Sequence, residues 1–406
     1  MRSPSIGRVA IVGGGIIGVA VAREIVKRHP DADVTLFEKE DRLAAHQTGR
    51  NSGVVHAGLY YEPGSAKAVM CRRGVGLLER FCDEYAIRRI TCGKVLVALD
   101  EAESARLGNI SERAVANGVP GIRIIGPDEL RELEPHVRGI AALHSPSTSI
   151  VDYSEVTRAL AVDAEAGGAT LLLGHEIVGV KPSDTEVVVT ARSADGTVES
   201  VFDRIVICGG LQSDRLAELA GDGPEPVIIP FRGEYYALKP RRRHLVNGLV
   251  YPVPDPRYPF LGVHLTPRVD GEVLIGPNAV IALAREGYSW RRISVTDMAE
   301  VVRTPAFWRF AGQHWRTGVR EMSGSLSKRR FMAGARAYVP ELENDDVVPG
   351  VAGVRAQALD SGGGLVDDFR ISIRDRVVLL RNAPSPAATS SMAIAEHIVT
   401  NIETAA

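Results

Sequence analysis

The sequence is poor in cysteine: Cys71, Cys82, Cys92 and Cys208 are its only four, with no Cys-x-x-Cys spacing and no accompanying histidine ladder. This argues against a disulfide framework or a zinc site and points to a reducing, intracellular location; no metal is expected. No apolar run approaches the roughly 20 residues needed to cross a bilayer. The N-terminus has basic residues before an apolar run, as signal peptides do. Its glycine cluster, the early Arg23 and the lack of a cleavage site argue against one. A formal net charge of −2 gives no global field to draw in nucleic acid or an anionic membrane, and the basic patches at 241–244 and 328–330 read as solvated loops. There is no internal repeat and no low-complexity segment. At 406 residues the chain exceeds what one hydrophobic core usually serves, so two domains are expected.

What is present begins at once. The apolar, β-branched "RVAIV" at 8–12 is followed by "GGGIIG", a helical pattern and then "DVTLFE", which together make a βαβ unit. Gly13, Gly15 and Gly18 fit G-x-G-x-x-G, with Ile16 and Ile17 opening the helix. That motif meets three separate demands: a tight turn, backbone approach to a pyrophosphate, and close packing of helix on strand. The helix N-terminus adds free N–H groups and a positive dipole end. Glu38, twenty residues after Gly18 and just before Lys39, can accept both ribose hydroxyls and repel a 2′-phosphate, which disfavours NADP. NAD and FAD share this half and are not separated by it. The polar loop "AHQTGRNSGVVHAGLYY" at 45–61 follows, placed to run along the rest of an extended cofactor.

Further on, 64–86 is helical in pattern, 92–99 reads as a strand, and an "ADG" turn joins two strands near 187–202. Strands dominate 227–280 and helical pattern resumes over 295–340. Ser385 followed by Pro386 predicts the start of the last helix, as cap and first residue. The fold class is α/β (α+β overall). The expected division is a discontinuous cofactor domain of 1–88, 148–224 and 346–406, with a mixed-sheet substrate domain of 89–147 and 225–345.

Several stretches, in order along nearly the whole chain, carry a family likeness: "HQTGRNSGVVHAGLYYEPGS", "TSIVDY", "IPFRGEYYALKP", "YPVPDPRYPFLGVHLTPRVDG", "GPNAV", "REGY", "AGVRAQALD" and "RNAPSPAATSSMAIA". The chain resembles the D-amino-acid-oxidase-type FAD-dependent oxidoreductases, and within them the group that oxidises L-2-hydroxyglutarate. The resemblance implies a Rossmann-like FAD domain of the glutathione-reductase/D-amino-acid-oxidase type. It also implies oxidation of L-2-hydroxyglutarate to 2-oxoglutarate, with hydride passing from C2 to flavin N5 and a His taking the hydroxyl proton. Oxygen or a membrane quinone or carrier chain reoxidises the flavin in this group. A cytoplasmic enzyme is therefore expected, with peripheral contact at the inner face of the membrane left open and nucleic acid not expected as a partner. One departure stands out: Arg50 occupies a position where the group's "HQTGHNSG" has a second His.

A dicarboxylate alcohol needs anion clamps and a base. Arg is the best clamp because its planar fork makes two hydrogen bonds to a carboxylate. Arg355 is the first choice, by its resemblance to the "AGLRP" arginine of amine-oxidising flavoenzymes, and Arg257 and Arg232 are candidates for the second clamp. Tyr60, Tyr61, Tyr235 and Tyr251 can donate hydroxyl hydrogen bonds. The base is His56, in the polar loop, or His264, a single polar side chain in an apolar strand. Thr48, Gly49, Asn51, Ser52 and Gly53 are expected along the cofactor from pyrophosphate to ring, with Ile177 at the adenine and Gly209 and Gly210 where a strand end passes close. Asn382, Ala383, Ser385 and Pro386 are expected at the flavin's pyrimidine edge. His46 either holds the loop and bonds non-covalently or links covalently to the flavin, the former being favoured. Two other readings are an amine or amino-acid oxidase on the same scaffold and a redox-inactive flavin-binding protein.

Overall fold

The computed structural model describes residues 6–255 and 262–404. The first strand, β1 (Arg8–Val12), lies inside a six-stranded sheet, between β2 (Asp33–Phe37) and Arg204–Ile207, with parallel pairing to both. Its residues alternate between two apolar surroundings: Val9 and Ile11 meet the helical layer, Ala10 and Val12 the opposite one. A strand covered on both faces must be apolar at every position, which is why "RVAIV" has no polar alternation. The first helix, α1 (Ile16–Arg28), packs between helices Tyr153–Ala166 and Ser391–Thr404 on one face. The antiparallel meander Glu176–Pro182, Val187–Ser193 and Gly196–Phe202 covers the other. Gly196, in the expected hairpin turn, takes φ +126°.

A second, nine-stranded sheet includes Val227–Leu238, Val273–Gly276, His264–Pro267, Leu249–Pro252, Lys94–Ala98 and Ala141–Ser145. Phe331, Met332 and Ala335 of helix Lys328–Arg336 seal it against Leu238, Val250, Leu265 and Ile275.

The structure differs from expectation at three places. Strand Val347–Leu359 pairs along Val227–Leu238, so it lies in the nine-stranded sheet and not in the cofactor sheet. Arg89–Thr91 pairs with Ser149–Val151 in a small sheet with Val54–Val55, away from the nine-stranded one. The last helix begins at Ser391, because 385–390 forms turns. There Thr389 Oγ1 accepts from the His56 amide (3.1 Å), shares a hydrogen bond with the Tyr153 hydroxyl (2.8 Å), and its backbone packs on Gly74. These tertiary ties override the local capping signal.

A Cβ on Gly18 would overlap the carbonyl oxygen of Gly13, which as backbone cannot swing aside. Gly18→Ala should therefore lower unfolding stability by on the order of 2 kcal/mol, the cost of overpacking. An unchanged midpoint in chemical denaturation would contradict this packing.

Candidate cofactor and substrate site

A cavity of about 1440 Å³ opens between the two large sheets, more than a single drug-sized ligand occupies. At one end lies the β1–α1 turn. Gly13 has φ +110°, and a Cβ there would overlap the Cys208 carbonyl oxygen. Gly15 precedes α1 in an extended conformation with no side-chain cap, and the helix has no acidic residue in its first turn. The Ile16 amide donates to Thr48 Oγ1 (3.1 Å). This helix start, with no acidic residue of its own in the first turn and glycine where the chain turns into it, suits a pyrophosphate. Buried Glu38 accepts from the amides of Gly14 (2.6 Å) and Glu40 (2.9 Å), which fixes its carboxylate at the cavity wall where a ribose would lie.

Gly13, Gly15, Ile16, Ile17, Gly18, Glu38, Lys39, His46, Thr48, Asn51, Ser52, Ile177, Gly209, Gly210, Asn382, Ala383, Ser385 and Pro386 all line the cavity. Gly49 and Gly53 do not. Both are glycine because a side chain would strike the chain itself: Ala44 O at Gly49, and Val151 O (2.6 Å) at Gly53, which also has φ +77°. The Asn382 amide is engaged by Val366 O (2.7 Å) and Asp368 O (3.0 Å), so its side chain braces a loop.

Both ring nitrogens of His46 have protein partners: Nε2 faces Glu40 (2.9 Å) and Nδ1 faces the Tyr288 hydroxyl (2.6 Å). Glu40, His46 and Glu286 come close enough to hold a cation, but Lys39 Nζ already bridges the two carboxylates (2.7 and 2.6 Å). Arg50 lines the cavity with its guanidinium 3.8 Å over the Tyr288 ring.

At the other end His56, His264, Tyr60, Tyr61, Tyr235, Tyr251 and Arg355 line the same cavity. Burial, reinforced by the positive charges of Lys94 and Arg355, pushes the pKa of each of His56 and His264 down to about 3, and both are neutral at physiological pH. His264 Nδ1 donates to Gly262 O (3.0 Å), so its neutral tautomer leaves Nε2 as the acceptor. His56 Nε2 has only a long contact to Ser385 Oγ (3.4 Å). The Tyr235 hydroxyl is held by Arg355 and Ser52, whereas the buried Tyr60 hydroxyl has no hydrogen-bond partner among the described residues. Arg355, on Val347–Leu359, is exposed toward the cavity.

Arg232 does not reach this space. Fully buried, it is paired with Glu234 (2.9 Å) and lies 4.2 Å over the Trp290 ring, so it pins its own strand and is not a clamp. Arg257 lies outside the described residues.

Two lysines that sequence reasoning passed over stand here. Lys67 lines the cavity, buried, with Nζ 2.8 Å from Asp367 and 5.1 Å over the Tyr61 ring. Lys94 is 3% exposed; its Nζ lies 3.7 Å over the Tyr251 ring and 4.9 Å over the Tyr60 ring. On Tyr251 the His264 imidazole also stacks, with centroids 4.0 Å apart. Burial alone lowers the Lys94 pKa to about 7. Its signal in the sequence is the one used for His264: a single polar residue inside an apolar strand, "CGKVLVAL".

The glycine cradle, the acidic ribose acceptor and the joined basic, aromatic chamber define a flavin-dinucleotide oxidoreductase. The chain belongs to the FAD dependent oxidoreductase (DAO) family, which it matches over residues 8–400, and its cofactor is FAD. It is similar to L-2-hydroxyglutarate dehydrogenase of Escherichia coli K12, 43% identical with 97% of this chain and 92% of that protein covered. Similar too is the enzyme named mitochondrial L-2-hydroxyglutarate dehydrogenase of Homo sapiens, 42% identical with 97% and 88% covered. Among solved structures, L-alpha-glycerophosphate oxidase from Mycoplasma pneumoniae superposes with a TM-score of 0.79 at 24% identity, covering 97% of this chain and 94% of that one. Glycine oxidase from Geobacillus kaustophilus superposes at 0.72 and 19% identity, covering 98% and 95%. These structures share the DAO-type fold.

The folded-state pKa of Lys94 lies below its unfolded value, so between about pH 7 and 10.5 the unfolded chain binds the proton more tightly and stability rises with pH. Replacing this buried ammonium, which has no carboxylate partner among the described residues, by an apolar chain of similar length relieves that cost. Lys94→Met should raise stability at neutral pH by roughly 1–4 kcal/mol, and NMR titration should find the pKa of His56 and His264 raised. A destabilised variant with unmoved histidines would contradict this account.

Proposed function

We propose that the chain oxidises L-2-hydroxyglutarate to 2-oxoglutarate. FAD, held by the Gly13–Gly18 turn and Glu38, would supply a two-electron acceptor for the C2 hydrogen. Arg355, braced by Tyr235, holds a substrate carboxylate through its planar fork. The free Tyr60 hydroxyl donates to a second substrate oxygen, and Lys94, behind it, adds positive potential for the dicarboxylate. His264 Nε2 accepts the C2 hydroxyl proton as the C–H bond breaks, giving the 2-oxo product and an imidazolium. Its Nδ1–H bond to Gly262 O fixes the tautomer that can do this, and this is the observation that carries the assignment of the base. The relatives' names support the substrate. The Glu38 cradle and the turns at 383–386 hold the cofactor's two ends.

Anaerobic mixing of the FAD-loaded protein with L-2-hydroxyglutarate should bleach the flavin, while D-2-hydroxyglutarate and L-glutamate should leave it oxidised. Bleaching by L-glutamate alone would instead indicate an amino-acid oxidase. His264→Ala should slow flavin reduction about 10²–10⁴-fold, the usual worth of a general base, with FAD retained. Unchanged reduction would move the base to His56. Arg355→Met should weaken L-2-hydroxyglutarate binding about 100-fold, from the loss of charge-assisted hydrogen bonds; binding by flavin perturbation reads this directly.

A further inference from the structure

Helix Ala66–Glu84 begins at the cavity wall, and its first turn is held by the segment 366–369. Ser65 Oγ accepts from the Ala68 amide (3.2 Å), and Asp368 Oδ1 accepts from the amides of Lys67 (3.0 Å) and Phe369 (2.8 Å). The segment is fixed from its other side as well, because Asn382 Nδ2 donates to Val366 O and Asp368 O. Asp367, between those two, is placed differently. Its side chain is 89% exposed, and it pairs with Lys67 Nζ at 2.8 Å.

The two partners are unequal. The Lys67 side chain is 8% exposed and lines the cavity, so its ammonium is costly to leave without an anion. The Asp367 carboxylate already lies in water, and a pair with such a partner exchanges at little cost. Lys67 also shares its surroundings with the other clamp. After burial, positive charge from Lys94, Arg355 and Lys67 lowers the pKa of His56, so Lys67 and Arg355 both act on one imidazole. Lys94 does not line the cavity, its ammonium lying over the Tyr251 and Tyr60 rings, and Arg113 at the wall is paired with Glu62 (3.4 Å). A dicarboxylate seated on Arg355 therefore meets in Lys67 a buried cation whose present anion can leave.

We propose that Lys67 is the subsite for the far carboxylate of a five-carbon dicarboxylate, and that Asp367 is its place-holder. The Asp367 carboxylate occupies the ammonium while the cavity is empty and is exchanged for the ligand's carboxylate on binding. The inference rests on the dicarboxylate reading of the site given above and adds the residues that select for the second carboxylate. The exchange keeps one anion at Lys67 throughout, so the buried ammonium is never unpaired. Only the Asp367 side chain moves, since Asn382 and Asp368 hold the backbone on either side of it. A monocarboxylate of the same length has nothing with which to displace Asp367, and selectivity follows from that difference.

The FAD-loaded full chain is titrated with glutarate and with pentanoate, five-carbon acids that lack the C2 hydroxyl, and binding is read from perturbation of the flavin spectrum. The unsubstituted protein should bind glutarate about tenfold more tightly than pentanoate. Lys67→Gln should bring glutarate down to the pentanoate value and leave pentanoate unmoved, which also shows that the variant folds with its Arg355 clamp intact. Asp367→Asn removes the competing anion and should tighten glutarate about two- to fivefold. Damaged folding cannot imitate that gain, and it should vanish in the Lys67→Gln background. Equal loss of both acids in Lys67→Gln overturns the proposal, as does glutarate binding that Asp367→Asn leaves unchanged or weakens. The substrate reading fails separately: if L-2-hydroxyglutarate does not bleach the flavin of the unsubstituted protein, that reading is lost, and the two titrations still decide the place-holder.

Discussion

Two imidazoles, His56 and His264, line one end of the cavity with Arg355 and Lys67, with Lys94 buried close by, and the chemistry of the cavity depends on how that charge is balanced. At an effective dielectric of about 20, unit charges 4 Å apart interact by about 4 kcal/mol, enough to decide a protonation state. Burial is the main reason His56 and His264 stay neutral, and the positive charge of Lys94 and Arg355 adds to it. Neutral imidazole can accept a proton; imidazolium cannot. In the proposed function an incoming dicarboxylate offsets the cationic field, so the base gains proton affinity when the substrate is in place. An empty cavity keeps a weak base, and a filled one a stronger base.

The scaffold makes this arrangement affordable in stability because the charged chamber hangs between two separately packed sheets. The cofactor sheet has its own apolar layers on both faces, and the nine-stranded sheet is sealed by Phe331, Met332 and Ala335. The 45–61 loop joins the two functions. Its first half braces itself, with Asn51 Nδ2 on Thr48 O (2.6 Å) and Thr48 capping α1; its second half delivers His56, Tyr60 and Tyr61. His46 belongs to the brace, with both nitrogens committed to Glu40 and Tyr288.

Where the signal was local, the sequence was readable. "RVAIV" followed by the spaced glycines could be little else than a buried strand turning into a helix, and "ADG" between alternating residues had to be a hairpin. The polar residue in an apolar strand located His264, and the same rule applied to "CGKVLVAL" would have located Lys94. Long-range partners were not readable. Arg232 reads as a clamp in the sequence, but Glu234 and Trp290 occupy it in the fold. Strand Val347–Leu359 lay among cofactor residues in the chain but found its hydrogen bonds along Val227–Leu238. Ser385 and Pro386 carried a helix-start signal that Thr389's contacts with His56, Tyr153 and Gly74 overrode.

In the proposed function the proton acceptor of the substrate-free enzyme is an imidazole kept neutral by a pKa well below the ordinary 6.5. The pH dependence of kcat/KM for L-2-hydroxyglutarate reports that free-enzyme group. This ratio should stay level from neutral pH down to about 5, with the acid limb lying below that, because desolvation and neighbouring positive charge oppose protonation. An acid limb at or above pH 6.5 would mean an ordinary, solvated histidine, and would contradict it.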